Sequence, residues 1–358
     1  MMIKPYGVVG LIPTTWGIHN RADIMRNLDH IEELAEGAIW LSSLDLPVRL
    51  LLLPEGALQG FTDEALDTPV ADFLADGAID IPGPETDRLA KLAQKHQIYI
   101  MAQAKVREPD WPGIMFNVGF IIDPKGEIIL KHHKMSALLP CERSASPHDL
   151  YDQWIERYGN HLDAFWPVAH TDIGNLGVMM AMEGNFPENG RGLAMNGAEV
   201  VYRASMPTPF TQNDIFDISN RARALENNFY VLAPNLGPVY LQPGSKAPVD
   251  CSGSLSSLID YKGRVIGKQH DTNGSSYVYG VVDIEALRHH RTHAATTNWL
   301  KDVRSECAKL IYERPIYPKN HYLTHPQGSH QTYKDEILSP QIQYMIDQGI
   351  WEKSGYDQ

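Results

Sequence analysis

The same order of helix, strand and hairpin turn occurs twice in this chain. In the first copy, Leu89–Gln97 reads as a helix running into the strand Ile98–Ala102, followed by the turn Asp123-Pro124-Lys125-Gly126. In the second, Arg221–Asn228 runs into Phe229–Ala233, followed by Asp260-Tyr261-Lys262-Gly263. The two strands are offset by 131 residues and the two turns by 137. Asp-x-Lys-Gly suits a tight reversal between antiparallel strands, because glycine readily takes the left-handed backbone conformation. Two copies at so long a period imply two similar halves rather than a solenoid.

The N-terminal region gives those halves a class. Gly7–Ile12 reads as a strand, and Asp23–Leu41 carries apolar residues at helical spacing. Val48–Leu53 is a near-continuous apolar run that stops at Pro54, as expected of a strand covered on both faces. Strand, helix, strand in this order predicts an α/β fold, with two sheets packed face to face and helices outside. The expected domain covers residues 1–300. From about Leu300 the pattern weakens into a Pro-, His- and Tyr-rich extension, 301–358, expected to pack on the domain or on a neighbouring subunit, with one more helix at Ser339–Gly349.

Composition narrows the partners. With 31 Lys+Arg against 44 Asp+Glu, the net charge of −13 disfavours a nucleic-acid surface and gives no support to an anionic membrane partner. Three cysteines (Cys141, Cys251, Cys307) without CxxC spacing indicate neither a disulfide framework nor a zinc site. No leader or long apolar run is evident, so a soluble, cytoplasmic protein is expected. The paired histidines His132-His133 and His289-His290 lack metal-ligand spacing and read as structural or surface groups.

Three places could carry chemistry. Glu55 follows the Leu50–Leu53 run at a strand end, where ligand crevices form in α/β sheets. It could be a general base in an apolar setting or a plain ion-paired carboxylate. Lys134 closes the run Lys131-His132-His133-Lys134 after the strand Glu127–Leu130, either as a functional ammonium or in a solvated turn. Ala181 lies where the strand Leu176–Met180 breaks at a Gly-Asn turn before a helix. That geometry presents nucleophiles, with the next N–H as an oxyanion donor, but it is equally a plain strand–turn–helix with a methionine stripe.

In combination these segments resemble the carbon–nitrogen hydrolase (nitrilase) superfamily. The resemblance rests on Leu-Leu-Leu-Pro-Glu55, on Lys134, and on Gly-Val-Met-Met-Ala181-Met-Glu-Gly-Asn-Phe-Pro-Glu with the later Asn-Gly-Ala-Glu. Arg223-Ala224-Leu225-Glu226-Asn227 with Asn235 adds to it, and it runs from about Val8 to Val282. The Gly-Asn-Phe-Pro-Glu segment and Glu142, eight residues after Lys134, are most similar to the aliphatic amidase and formamidase branch. The resemblance implies a four-layer α-β-β-α sandwich with internal pseudo-two-fold symmetry, in agreement with the repeat. It also implies cofactor-free hydrolysis of a small carboxamide, and a homo-oligomer, either a dimer or a dimer-built assembly.

One departure stands out: the family's nucleophilic cysteine falls at Ala181, and a methyl group cannot attack a carbonyl. The intact neighbours fit a recent, deliberate Cys→Ala change, the other explanation being a natural non-catalytic amide- or carboxylate-binding protein. Cys141 is misplaced for a substitute nucleophile. In the parent chemistry, the resemblance assigns Glu55 as base and acid, Lys134 and the Met182 N–H as oxyanion donors, and Glu142 as an orienting group or a partner for Lys134. Ser205, Met206 and Pro207 would contact substrate. Trp154, Phe165 and Trp166 read as core or lid residues, and the insertion Ser144–Tyr158 as one wall of the pocket. Nitriles are an alternative substrate class for the same three groups.

Overall fold

The computed structural model describes residues 2–137, 140–206, 214–251, 255–269 and 274–357. Twelve strands build two six-stranded sheets. The first half contributes β1 (Tyr6–Ile12), β2 (Val48–Leu52), β3 (Tyr99–Arg107), β4 (Met115–Ile122) and β5 (Ile128–His133). The second contributes β6 (Val168–Thr171), β7 (Gly174–Val178), β8 (Val200–Tyr202), β9 (Tyr230–Ala233), β10 (Ser257–Ile259) and β11 (Val265–Lys268), and β12 (Ser276–Val282) crosses back to the first sheet.

The sheet orders are β12-β1-β2-β3-β4-β5 and β6-β7-β8-β9-β10-β11. Read along either sheet, the pairings run antiparallel, parallel, parallel, antiparallel, antiparallel. The sequence repeat is therefore a structural one: β3 corresponds to β9, and the β4–β5 hairpin to β10–β11. A small three-stranded sheet (Thr15–Trp16, Pro238–Tyr240, Asp250–Cys251) joins the two halves at one end.

Side-chain alternation creates the layers. Val8, Leu50, Leu52, Met101 and Ile121 face Leu176, Val178, Tyr202, Leu232 and Leu258 between the sheets. Their neighbours Val9, Leu11, Leu51 and Leu53 face outward against helices α1 (Ile24–Ser42) and α2 (Pro84–His96). On the far side, Val201 and Val231 meet Leu193 and Ala224 from α3 (Pro187–Met195) and α4 (Ile215–Asn227). The result is the expected α-β-β-α sandwich. Helix α1 forms because Ile24, Leu28, Ile31 and Ala35 share one buried face. Helix α2 starts at Pro84, carries Glu85 and Asp87 in its first turn and Lys95 and His96 in its last, and stops where Gln97 turns left-handed at φ 54°.

In the C-terminal extension, the expected late helix spans Ser339–Asp347. Among the described residues no helix is long and apolar enough to cross a membrane.

The sheets meet closely at Gly119 on β4, where a Cβ would lie 2.5 Å from Val178 Cγ1 and 3.1 Å from Met180 Sδ. Gly119→Val should therefore cost about 1–3 kcal/mol in urea unfolding, through overpacking. Gly37→Ala, on the exposed face of α1 with nothing within 4 Å, should instead stabilise by about 0.5–1 kcal/mol. Equal effects of the two substitutions would contradict this packing.

Candidate active site

Apart from Glu142, the candidate residues lie just beyond strand ends. Glu55 comes three residues after β2, on a turn made sharp by Gly56 at φ 78°, whose N–H donates to Gln103 Oε1 at 2.8 Å. A Cβ at Gly56 would strike the Phe61 ring at 2.3 Å, so glycine is required there. Lys134 immediately follows β5, and Ala181 comes three residues after β7. Ser205 and Met206 follow β8.

These residues converge. Glu55, Lys134, Glu142, Ala181, Met182, Ser205 and Met206 all line one cavity of about 210 Å³. Pro207 lies outside the described residues. Lys134 Nζ donates to Glu55 Oε1 at 2.9 Å and to Glu142 Oε2 at 2.6 Å. Asn117 Nδ2 bridges the same carboxylates, reaching Glu55 Oε1 at 3.0 Å and Glu142 Oε1 at 2.8 Å. Its own oxygen accepts from Gln103 Nε2 at 2.6 Å, which fixes the orientation of the amide. Ser144 Oγ donates a further bond to Glu142 Oε1, at 2.5 Å.

Burial opposes the charge on both Lys134 and Glu142, but their attraction prevails. Glu142 and Glu55 hold the Lys134 ammonium well above its ordinary range. Lys134, helped by Ser144 and Asn117, holds Glu142 down at about 2. Both are ionised at neutral pH.

Position 181 is strained. Ala181 has φ 39°, a left-handed conformation that non-glycine residues rarely adopt. Its N–H donates to the Ala204 carbonyl at 2.7 Å, and its own carbonyl accepts from Arg203 Nε at 3.1 Å and Nη2 at 2.9 Å. Arg203 is 1% exposed; among the described residues it also donates to Ser219, Asn220 and Asn185. Burial, then Arg223, lowers it to about 9, so it remains a cation at neutral pH. Glu183, fully buried, ties this elbow to the lysine strand. It accepts from Met180 N at 2.5 Å, Met135 N at 2.6 Å and His132 Nε2 at 2.9 Å.

The remaining walls are mostly apolar, from Phe61, Ala65, Ile215, Phe216 and Leu241. Glu64 also faces the cavity, raised to about 7 by burial against the pull of Lys105, whose Nζ lies 2.7 Å from it. Cys141 is a lining residue too. Its thiol is pushed up to about 12, first by burial and then by Glu64 and Glu142, which keeps it from being a thiolate nucleophile at neutral pH. Among the described residues, no group of three or more His, Cys, Asp or Glu is arranged to hold a metal ion.

One expectation is corrected. No residue of the Ser144–Tyr158 insertion lines this cavity; Ser146, His148 and Asp149 line a separate one with Trp166 and Tyr317. Ser144 reaches the site only through its bond to Glu142. Trp154 and Phe165 are core residues, packed against the outer side of the first sheet. Sequence reading missed Gln103, Asn117, Glu183 and Arg203. The available signal for the first two was a polar side chain in the middle of an otherwise apolar strand.

Comparison with known proteins adds the following. The model of the Carbon-nitrogen hydrolase family matches residues 8–292. Formamidases of Bacillus cereus and Bacillus anthracis are 31% identical over 222 residues, 61% of this chain. That match spans only 58% of the length of those relatives. A carbon-nitrogen hydrolase from Helicobacter pylori superposes with a TM-score of 0.65 at 18% identity, covering 87% of this chain and 99% of its own. A cysteine-to-alanine mutant of an amidase from Nesterenkonia superposes at 0.60 and 19% identity, covering 86% and 97%. At such identities the structural likeness bears on the fold.

The depressed Glu142 carboxyl has a consequence for stability. A folded value of about 2 lies below the ordinary 4.5, so its contribution is fully present above about pH 4.5 and is lost as pH falls towards 2. Glu142→Gln should therefore lower unfolding stability in urea at pH 7, and the deficit should shrink as pH falls from 4.5 towards 2. A deficit that stays constant with pH would refute this pairing.

Proposed function

Because the chain belongs to the carbon-nitrogen hydrolase family, we propose that its site is built to hydrolyse a small aliphatic carboxamide to the acid and ammonia. The nucleophile position of that chemistry is residue 181, where alanine stands in place of a cysteine. The observation that carries the reading is the convergence of Glu55, Lys134, Glu142 and the strained Ala181 on one cavity.

With cysteine at 181, Glu55 takes the thiol proton and the thiolate attacks the amide carbon. The oxyanion that forms meets the Lys134 ammonium and the Met182 N–H. As the tetrahedral species collapses, the C–N bond breaks and Glu55 returns the proton to the departing ammonia. Water then attacks the thioester, Glu55 accepts its proton, and the acid leaves as the thiol re-forms. Glu142 holds Lys134 in place and orients the amide or the water. No step calls for a metal or an organic cofactor.

Cavity size supports a small acyl group, since about 210 Å³ is below the roughly 300–1,000 Å³ of sites for drug-sized ligands. The apolar walls favour an aliphatic one. Relatives named formamidase support amides over nitriles. Strain supports a replaced cysteine over a natural binding protein. Holding a non-glycine residue left-handed costs about 1–3 kcal/mol, and an alanine there has no chemistry that repays it. Self-association belongs to the same proposal. Phe186, Met195, Leu310 and Ile311 are exposed apolar residues on and beside α3, and the bond from Tyr312 to Glu188 brings the last two to that helix.

As it stands, the chain should bind small amides without releasing ammonia. Ala181→Cys should create ammonia release from an acetamide-to-butyramide series, a gain on the order of 10⁶ in turnover. Matched nitriles should yield less acid. A folded Ala181→Cys protein inert towards both amides and nitriles would overturn the hydrolase reading; faster turnover of nitriles would replace the substrate class.

A further inference from the structure

The C-terminal extension holds both peptide carbonyls that flank Glu142. The Cys141 carbonyl accepts from His330 Nε2 at 3.1 Å, and the Arg143 carbonyl accepts from Gln327 Nε2 at 2.7 Å. The Gln327 amide also pairs with Met115 as a strand would. It accepts from Met115 N at 2.8 Å and donates to Met115 O at 2.9 Å. The His330 N–H donates to Asp67 Oδ1 at 3.2 Å, the same oxygen that receives Arg143 Nη1 at 2.7 Å. Gln327 and His330 lie beyond the family-matched residues 8–292.

Glu142 needs such support. Residues 142–144 belong to no strand or helix, and the backbone pairing next to them is at Ala145, whose N–H donates to the Met115 carbonyl at 2.8 Å. Yet the Glu142 carboxylate must meet Lys134 at 2.6 Å and Asn117 at 2.8 Å. Anchors on the carbonyls of the residues on either side confine its backbone, and Gln327 adds to the link between that backbone and the first residue of β4, the strand that carries Asn117.

We propose that Gln327 and His330 are positioning residues: through the extension they set the Glu142 carboxylate against Lys134 in the catalytic cavity. This rests on the amidase reading, which gives Glu142 work in the reaction, but the clamp itself can be tested without turnover.

Two measurements test it. In the full chain as it stands, Gln327→Ala combined with His330→Ala should speed amide hydrogen exchange at residues 141–145 by at least about 10-fold, with β1–β3 unchanged. In the Ala181→Cys background, the same pair should lower kcat/KM by about 10–100-fold, mainly through kcat, because small misplacements of catalytic groups cost rate. His330→Gln, which retains a donor for the Cys141 carbonyl, should keep most of the activity. Unchanged exchange at 141–145 would overturn the clamp. A loss of activity that only follows the folded fraction, or one that His330→Gln fails to rescue, would overturn its catalytic role. If Ala181→Cys itself is inert, the amidase reading falls, and the exchange result still decides the clamp.

Discussion

A buried ammonium between two carboxylates is the interaction on which the site depends. Removing Lys134 from water carries a desolvation penalty of several kcal/mol, offset only when partners sit at good geometry. Glu55 and Glu142 supply that geometry from parts of the chain 79 and 8 residues away. Asn117 keeps both carboxylates bonded from a third direction, and Gln103 keeps Asn117 from turning. Any one of these groups out of place leaves a buried polar atom unsatisfied, so the network forms as a unit or not at all. The cavity therefore has a polar floor whose groups are already held in place.

Sheet direction explains why the groups meet. Strands β1, β2 and β3 are parallel, and β5, twice reversed through β4, runs the same way. Glu55 and Lys134 thus leave the first sheet at the same edge. Strands β7, β8 and β9 are likewise parallel, and Ala181 and Ser205 leave the carboxyl ends of the first two. The repeated pairing lets both sheets open their carboxyl ends onto one crevice, where ligands bind in α/β folds. The halves differ in what they place there. The end of β2 is followed by the acid Glu55, whereas the corresponding end of β8 is followed by the anchor Arg203.

What could be read in the sequence follows from the same geometry. Glu55 and Ala181 drew notice because each follows an apolar run, and Lys134 because it closes a basic stretch after a strand; the family resemblance, not local pattern, joined the three. The sandwich was legible because the two hairpin turns kept their Asp-x-Lys-Gly chemistry. Gln103 and Asn117 act through their sequence-distant neighbours: two antiparallel strands bring them together, and their roles exist only once the register is set. Glu183 lay inside a quoted motif, but its partners His132 and Met135 come from β5 of the other sheet and the residues just after it. The insertion after Glu142 was misassigned because chain proximity to a cavity residue says nothing about which side of it a loop covers. Gln327 and His330 carry no local signal, since a polar residue in a polar extension is the expectation.

The elbow at Ala181 is where packing, strain and charge come together. A left-handed alanine relaxes unless both of its peptide groups are held, and here Ala204 takes the N–H while Arg203 takes the carbonyl. Among the described residues, Arg203 donates to carbonyl, hydroxyl and amide oxygens and to no carboxylate, although it is fully buried. Such an arrangement is expensive as mere scaffolding, because dipoles compensate a buried charge less fully than an ion does. It becomes intelligible as a fixed positive field behind residue 181, one that favours negative charge in front of it. Under the proposed chemistry, with cysteine at 181, a thiolate or an oxyanion there would use the field.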